Sequence, residues 1–138
     1  MVNEWLFWQV GGLGPMCGQA HHFRNYAPEK IQYGIDRYTN EVNRLYGVME
    51  VRLRKTPFLA GAYSIADMAA YPWVVPYKNQ GQDLNEFPHL RKWFDGMKER
   101  PAVRRAIESG LEMRGKVQED IRQNAEVQKI LFGQRARI

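Results

Sequence analysis

The feature that most constrains this chain is an apolar stripe on its longest uninterrupted segment. Between Pro28 and Lys55, the residues Ile31, Ile35, Tyr38, Val42, Leu45 and Met49 recur at alternating steps of four and three. That spacing puts side chains on one face of an α-helix. It predicts an amphipathic helix of about seven turns, with Pro28 in the first turn, where its missing N–H costs nothing. Lys55-Thr56-Pro57 should end it, because the residue before a proline avoids helical geometry. A helix that depends on one apolar face needs partners to bury it against, so the stripe points to a helical bundle.

The remaining segments supply those partners. Trp5, Trp8, Val10, Leu13 and Met16 give a second helical pattern from Asn3 to about Phe23, interrupted by Gly11, Gly12, Gly14 and Pro15. Pro15 removes one backbone hydrogen bond, which predicts one bent helix rather than two. In SIADMAAYPW, Ser64 stands three residues before Asp67, the spacing of a capping box, with Tyr63 and Met68 at the positions of a hydrophobic staple. Pro72 and Pro76 should bend or end that helix. Another helix is expected from Phe87-Pro88 through Leu90, Trp93, Phe94 and Met97. Pro101 should then open a short one holding Val103 and Ile107. From Leu111 to Ile138 the chain reads as a charged helical extension, with Val117, Ile121, Ala125 and Ile130 or Leu131 on a weak apolar face and its end frayed. No run alternates as a strand would, so an all-α domain over 1–110 with an extension over 111–138 is expected.

Composition excludes several function classes. A chain of 138 residues with 44% hydrophobic and 25% charged residues suits one self-supporting domain. The single Cys17 allows no disulfide within the chain, which favours a reducing, cytoplasmic setting. No apolar run is long enough to span a bilayer, and the start lacks the basic n-region of an export signal. The formal charge is +5, but its Lys and Arg are dispersed among acids without interleaved aromatics, so nucleic acid is not the expected partner.

Few residues carry a chemical signature. Ser64 and Asp67 suit a helix cap better than part of a hydrolytic triad. His21 and His22 are neighbours and point to different helix faces, His89 is remote, and Cys17 is alone, so no metal site is expected. GGLG lacks the strand before and the Lys-Ser/Thr after that a phosphate loop requires. Trp5, Phe7 and Trp8 lie within four residues and cannot all face one core. One of them should line a cleft or an interface, and Trp8 is the better candidate.

Several runs resemble the glutathione transferase family. GAYSIADMAAYPW is similar to the capped segment of its helical domain, and KTPFLAG and FPHLRKWFDGMKERPAVRRAI to the segments flanking it. WLFWQVGGLGPMCGQAHHFRNYAPE, followed by IDRYTNEVNRLY, resembles the bacterial nu class, whose characteristic activity is glutathione-dependent disulfide-bond reduction. The resemblance runs from residue 3 to about 110. It implies an all-α bundle of the glutathione transferase C-terminal type, with no thioredoxin-like domain among these residues. It implies a homodimer with glutathione as substrate and no metal. Arg37, in the IDRYT motif, would reach glutathione bound in the partner subunit through a bidentate guanidinium–carboxylate contact. Glu4, where relatives usually carry Gln, would join it by accepting from the γ-glutamyl ammonium. Trp8 and Phe7 would form the wall for the second substrate, while Ser64 and Asp67 would keep their structural cap. Without the thioredoxin-like domain the chain would be inactive alone. The rival expectation is a non-catalytic helical scaffold, marked by an exposed apolar patch that another protein covers.

Overall fold

The computed structural model describes residues 1–133, of which 114–123 by backbone alone. It divides into two compact units, Met1–Met97 and Lys98–Ile138. In the first unit, α1 (Val2–Trp8) runs through a π turn (Gln9–Leu13) into α2 (Gly14–Asn25). The expected single helix is therefore continuous, and its irregularity is a widened turn: the Gly14 N–H reaches back five residues to the Gln9 carbonyl. Pro15 has no N–H to close the next regular bond. Then follow α3 (Gln32–Leu53), α4 (Ile65–Val74), two short 3₁₀ turns (Tyr77–Gln80 and Leu84–Glu86) and α5 (Pro88–Lys98). Among the described residues no strand forms. The nearest approach is a lone bridge between Ala60 and Ala62, folded over Gly61 at a φ of 96°.

The stripe on α3 is the seam of the first unit. Val42, Leu45, Tyr46, Met49 and Leu53 are all buried. The helix begins four residues later than expected, however. Pro28 lies in a bend, and Ile31 caps the helix in an extended conformation while remaining 48% exposed. Residues 26–31 are occupied by closing α2. The N–H groups of Tyr26 and Ala27 both return to the His22 carbonyl, and Lys30 Nζ donates to the Arg24 carbonyl at 2.6 Å. The α1–α2 helix runs antiparallel to α3. Arg52 meets Met1, Gly12 faces Leu45, and the Phe23 ring lies against Gly34 and stacks on Tyr38 at 5.3 Å.

Ser64 and Asp67 form the capping box that opens α4. Ala66 N–H donates to Ser64 Oγ at 3.3 Å, and Ser64 N–H donates to Asp67 Oδ2 at 3.1 Å. Asp67 does more than cap. It is 0% exposed, and its Oδ1 accepts from Leu59 N–H at 3.0 Å and from the Trp93 indole N–H at 2.9 Å. One carboxylate thus joins the loop before α4, the start of α4, and α5. The α4 helix crosses Pro72 and stops at Val74, ahead of Pro76. Tyr63 packs edge-on against Phe58 at 5.5 Å, while Met68 is half exposed.

The start of α5 has an unusual cap. Phe87 occupies the position where a Ser or Asp side chain would normally accept the first free N–H groups. Glu50 of α3 replaces it: its Oε2 accepts from His89 and Leu90 N–H, both at 2.9 Å. The His89 Nδ1 lies 2.6 Å from Glu50 Oε1, and must carry a proton to donate there. Burial opposes the Glu50 charge, but the donors at Leu90 and His89 outweigh it and hold the carboxyl below its ordinary value.

The second unit contains α6 (Pro101–Gln123) and α7 (Ala125–Phe132). The short helix expected at Pro101 is instead 23 residues long and passes Gly110 without a break. The interruption comes at Asn124, whose side chain caps α7 by accepting from Glu126 and Val127 N–H. Ala125, Ile130 and Leu131 are exposed. The side chains of Val117 and Ile121, and the expected fraying at 134–138, lie outside the described residues.

Asp67→Ala strands three buried donors and should lower unfolding free energy by about 3 kcal/mol, visible in urea melts of the chain. The Glu50 contribution has the acid sign. Because its folded pKa is depressed, stability is fully present above the ordinary value of 4.5 and is lost as pH falls through the folded value. Glu50→Gln should therefore be less stable at neutral pH and show a shallower loss below pH 4.5. Parallel acid limbs for the two proteins would rule this out.

Candidate functional site

The antiparallel α1–α3 pair opens a cleft at its outer end. This cleft, about 410 Å³, is lined by Met1, Glu4, Trp5, Trp8, Val48 and Arg52. On α1, Trp8 stands three residues after Trp5 and four after Glu4, so it neighbours both on the helix surface. Trp5 and Trp8 meet edge to face at 5.2 Å, an arrangement that braces both indoles. Phe7 points away and is 71% exposed. The structure therefore brings Glu4 and Trp8 together and leaves Phe7 outside.

Arg52 completes the cleft. Its Nε donates to the Leu59 carbonyl at 2.7 Å, and its guanidinium lies 5.8 Å from the Trp5 ring centre. A cation held by a carbonyl and an aromatic face retains donors for a ligand. The site so built has one carboxylate, one guanidinium and two indoles. It can pair with an ammonium and a carboxylate at one end of a ligand while an apolar part rests on the rings. Arg52 carried a signal in the sequence: it stands three residues after Met49, where the α3 stripe would next place an apolar side chain.

Arg37 is not part of this cleft. It is exposed on α3, fifteen residues before Arg52, which corresponds to about 22 Å along the helix axis. Within one chain, Arg37 and Glu4 thus serve different ends of the bundle. Arg37 is one turn before Glu41, whose carboxyl is held below its ordinary value, chiefly by the hydrogen bond from Arg44 and with a smaller effect from Arg37. The guanidinium itself is open to a partner.

The remaining candidates have structural surroundings. Cys17 is fully buried, and burial pushes its thiol up to about 12. It therefore supplies no thiolate at neutral pH. His21 stacks on Tyr26 at 5.4 Å and His22 meets Phe23 edge-on at 5.6 Å. Among the described residues no three His, Cys, Asp or Glu side chains are grouped to hold a metal ion. Nor is any described helix long and apolar enough to cross a membrane. Gly14, at the start of α2, admits close packing: a Cβ there would lie 3.1 Å from the Trp73 ring. That contact brings α4 against the start of α2.

A second cleft, about 530 Å³, lies where the end of α3 and the loop after it meet α5. Its lining includes Arg54, Lys55, Phe58, His89, Lys92 and Trp93. Nothing in the sequence reading singled it out, because its members come from segments more than thirty residues apart.

Comparison with known proteins agrees with this architecture. The glutathione S-transferase C-terminal domain family matches residues 32–96, the segment from the start of α3 into α5. Over 105 residues the chain is 50% identical to the disulfide-bond oxidoreductase YfcG of Escherichia coli, covering 75% of this chain and 49% of that protein. The chain belongs to the glutathione S-transferase family. Ure2p in complex with glutathione superposes with a TM-score of 0.72 at 39% identity, over 78% of this chain and 51% of that one. The glutathione transferase URE2P6 from Phanerochaete chrysosporium, in complex with oxidized glutathione, gives a TM-score of 0.75 at 37% identity, over 80% and 53%. The chain spans about half the length of these relatives.

The burial of Cys17 makes a direct prediction. The native chain should not react with a thiol-specific disulfide reagent at pH 8, and one thiol should appear when the protein is unfolded in guanidinium. Rapid labelling of the native form would show an accessible thiolate and overturn this burial.

Proposed function

We propose that these residues form the helical half of a dimeric, cytoplasmic glutathione S-transferase that reduces disulfide bonds with glutathione. The observation that carries this reading is the 50% identity to a disulfide-bond oxidoreductase over 105 residues, 75% of this chain. In such a reaction the glutathione thiolate attacks one sulfur of the substrate disulfide. The other sulfur leaves as a thiolate and takes up a proton. A second glutathione then resolves the mixed disulfide, releasing reduced substrate and glutathione disulfide. Electrons come from glutathione, in keeping with the unreactive Cys17.

The helical half contributes position and surroundings to this chemistry. Glu4 and Arg52 fit the ammonium and carboxylate of an amino-acid-like group, and Trp8 offers the apolar wall for the second substrate. Phe7, exposed and outside that cleft, joins the wall only where the dimer or another domain covers it. Arg37 reaches from one subunit to glutathione held by the other. The thiol itself is activated by a thioredoxin-like domain of the kind that relatives of twice this length have room for, so the 138 residues alone are not expected to turn over substrate.

An apolar surface on α4, made by Ile65, Met68 and Trp73, is consistent with cover by such a domain. It is equally the mark of a non-catalytic scaffold, and the assay separates the two. The native protein containing these residues should be isolated from its source cells, sized by antibody, and assayed with glutathione and hydroxyethyl disulfide. Activity that depends on glutathione supports the enzyme, and its absence supports the scaffold. In the active protein, Arg37→Ala should weaken glutathione binding by about ten- to a hundredfold, the range for losing one charge-assisted contact, with thermal stability unchanged. Full affinity in that variant refutes the contact across the dimer.

A further inference from the structure

We propose that the second cleft is a binding site for a small aromatic phosphate ester, separate from the glutathione cleft. The argument begins with charge. Arg54, Lys55 and Lys92 line this cleft together with His89, and no carboxylate is among the lining residues. Several exposed cations elsewhere on the chain are paired, Arg44 with Glu41, Arg91 with Asp95, and Arg104 with Glu99. Arg54, Lys55 and Lys92 make no ion pair among the described residues. Glu50 touches the lining residue His89, but both its oxygens are already engaged by the His89 and Leu90 N–H groups and by the His89 ring. Three cations directed to one recess without a counter-charge favour an anion there.

The second element is the fixed apolar wall. Trp93 is 4% exposed and is held by its indole N–H to Asp67 at 2.9 Å. Phe58 is braced edge-on by Tyr63 at 5.5 Å. The loop carrying Phe58 is pinned by Thr56, whose Oγ1 lies 2.9 Å from the Phe58 carbonyl and 3.2 Å from the Arg52 carbonyl. Trp93 thus fixes the floor of the cleft, and the part-exposed Phe58 ring offers a preformed surface for a flat group. Gly96 keeps one side open, because a Cβ there would find no atom within 4 Å.

The third element is shape. A recess of about 530 Å³ falls within the range of small-molecule sites, roughly 300–1,000 Å³. A phosphate dianion satisfies the cations through several charge-assisted hydrogen bonds, while the attached ring rests on Phe58. Glu50 holds the Nδ1 of His89, which fixes this lining ring. Neither an apolar ligand nor a bare anion uses both halves of this arrangement.

Phenyl phosphate, inorganic phosphate, phenol and glutathione can be titrated separately into the ¹⁵N-labelled chain at low salt. Phenyl phosphate should shift the amides of residues 53–58 and 89–96 saturably, and should bind at least tenfold more tightly than inorganic phosphate. Phenol should cause no saturable shift. In the double variant Arg54→Gln/Lys92→Gln, phenyl phosphate affinity should fall at least tenfold while the melting temperature stays the same. Equal affinity in that variant would overturn the proposal. So would shifts spread over the whole basic surface, phenol binding as well as phenyl phosphate, or glutathione binding more tightly at these residues. The outcome is independent of the disulfide-reductase reading, which concerns the other cleft.

Discussion

Much of the first unit depends on the buried carboxylate of Asp67. Its oxygens take two backbone N–H groups, from Leu59 and Ser64, and the indole N–H of Trp93. Each donor belongs to a different part of the chain, so one side chain sets the path of the loop, the first turn of α4 and the position of α5. A buried carboxylate is costly without such partners, and the partners are equally costly to leave without it. The interaction is therefore one of specification: it fixes which segments meet, while the apolar stripe of α3 supplies most of the area removed from water.

Glu50 repeats this arrangement on a smaller scale. A side chain from one helix caps another, joining α3 to α5 where the local sequence offers only Phe87 and Pro88. The loop between α4 and α5 is held similarly. Gln80 accepts from the Tyr46 hydroxyl and donates to the Trp73 carbonyl, and Gln82 donates to the Thr39 carbonyl. Gly81 turns this loop with φ at 75°, in van der Waals reach of the Arg24 guanidinium. Polar side chains reaching between elements thus hold the connections, and apolar faces hold the helices. Both clefts lie at such junctions, where the Leu59 carbonyl anchors Arg52 and the Glu50 carboxylate anchors His89.

The sequence made these two kinds of interaction legible to different degrees. Periodicity identified α3 from Ile35 onward and the single irregular α1–α2 helix, since a repeating face is a local property. The Ser64–Asp67 spacing identified the start of α4 for the same reason. Pro28 misled because its favourable place in a first helical turn competed with the closure of α2 by Tyr26, Ala27 and Lys30. Pro101 was read correctly as a start, but nothing in that segment announced that the helix would run to Gln123. Of the candidate cleft, Glu4 and Trp8 were visible in advance. Arg52 was not recognised, though it interrupts the stripe with a charge. Glu50 and the second cleft needed tertiary contacts that no spacing within one segment contains.

The π turn at Gln9–Leu13 has a consequence for chain length. A wide turn holds one more residue than a regular one, and here the surplus lies next to Gly11, which has no atom within 4 Å of where a Cβ would stand. Excising that glycine would let the backbone relax into ordinary α-helix. Trp5 and Trp8 on one side, and Leu13, Cys17 and Ala20 on the other, would keep the faces they present now. The register of the two halves is thus set by their partners on α3 and α4, and the helix between them carries slack.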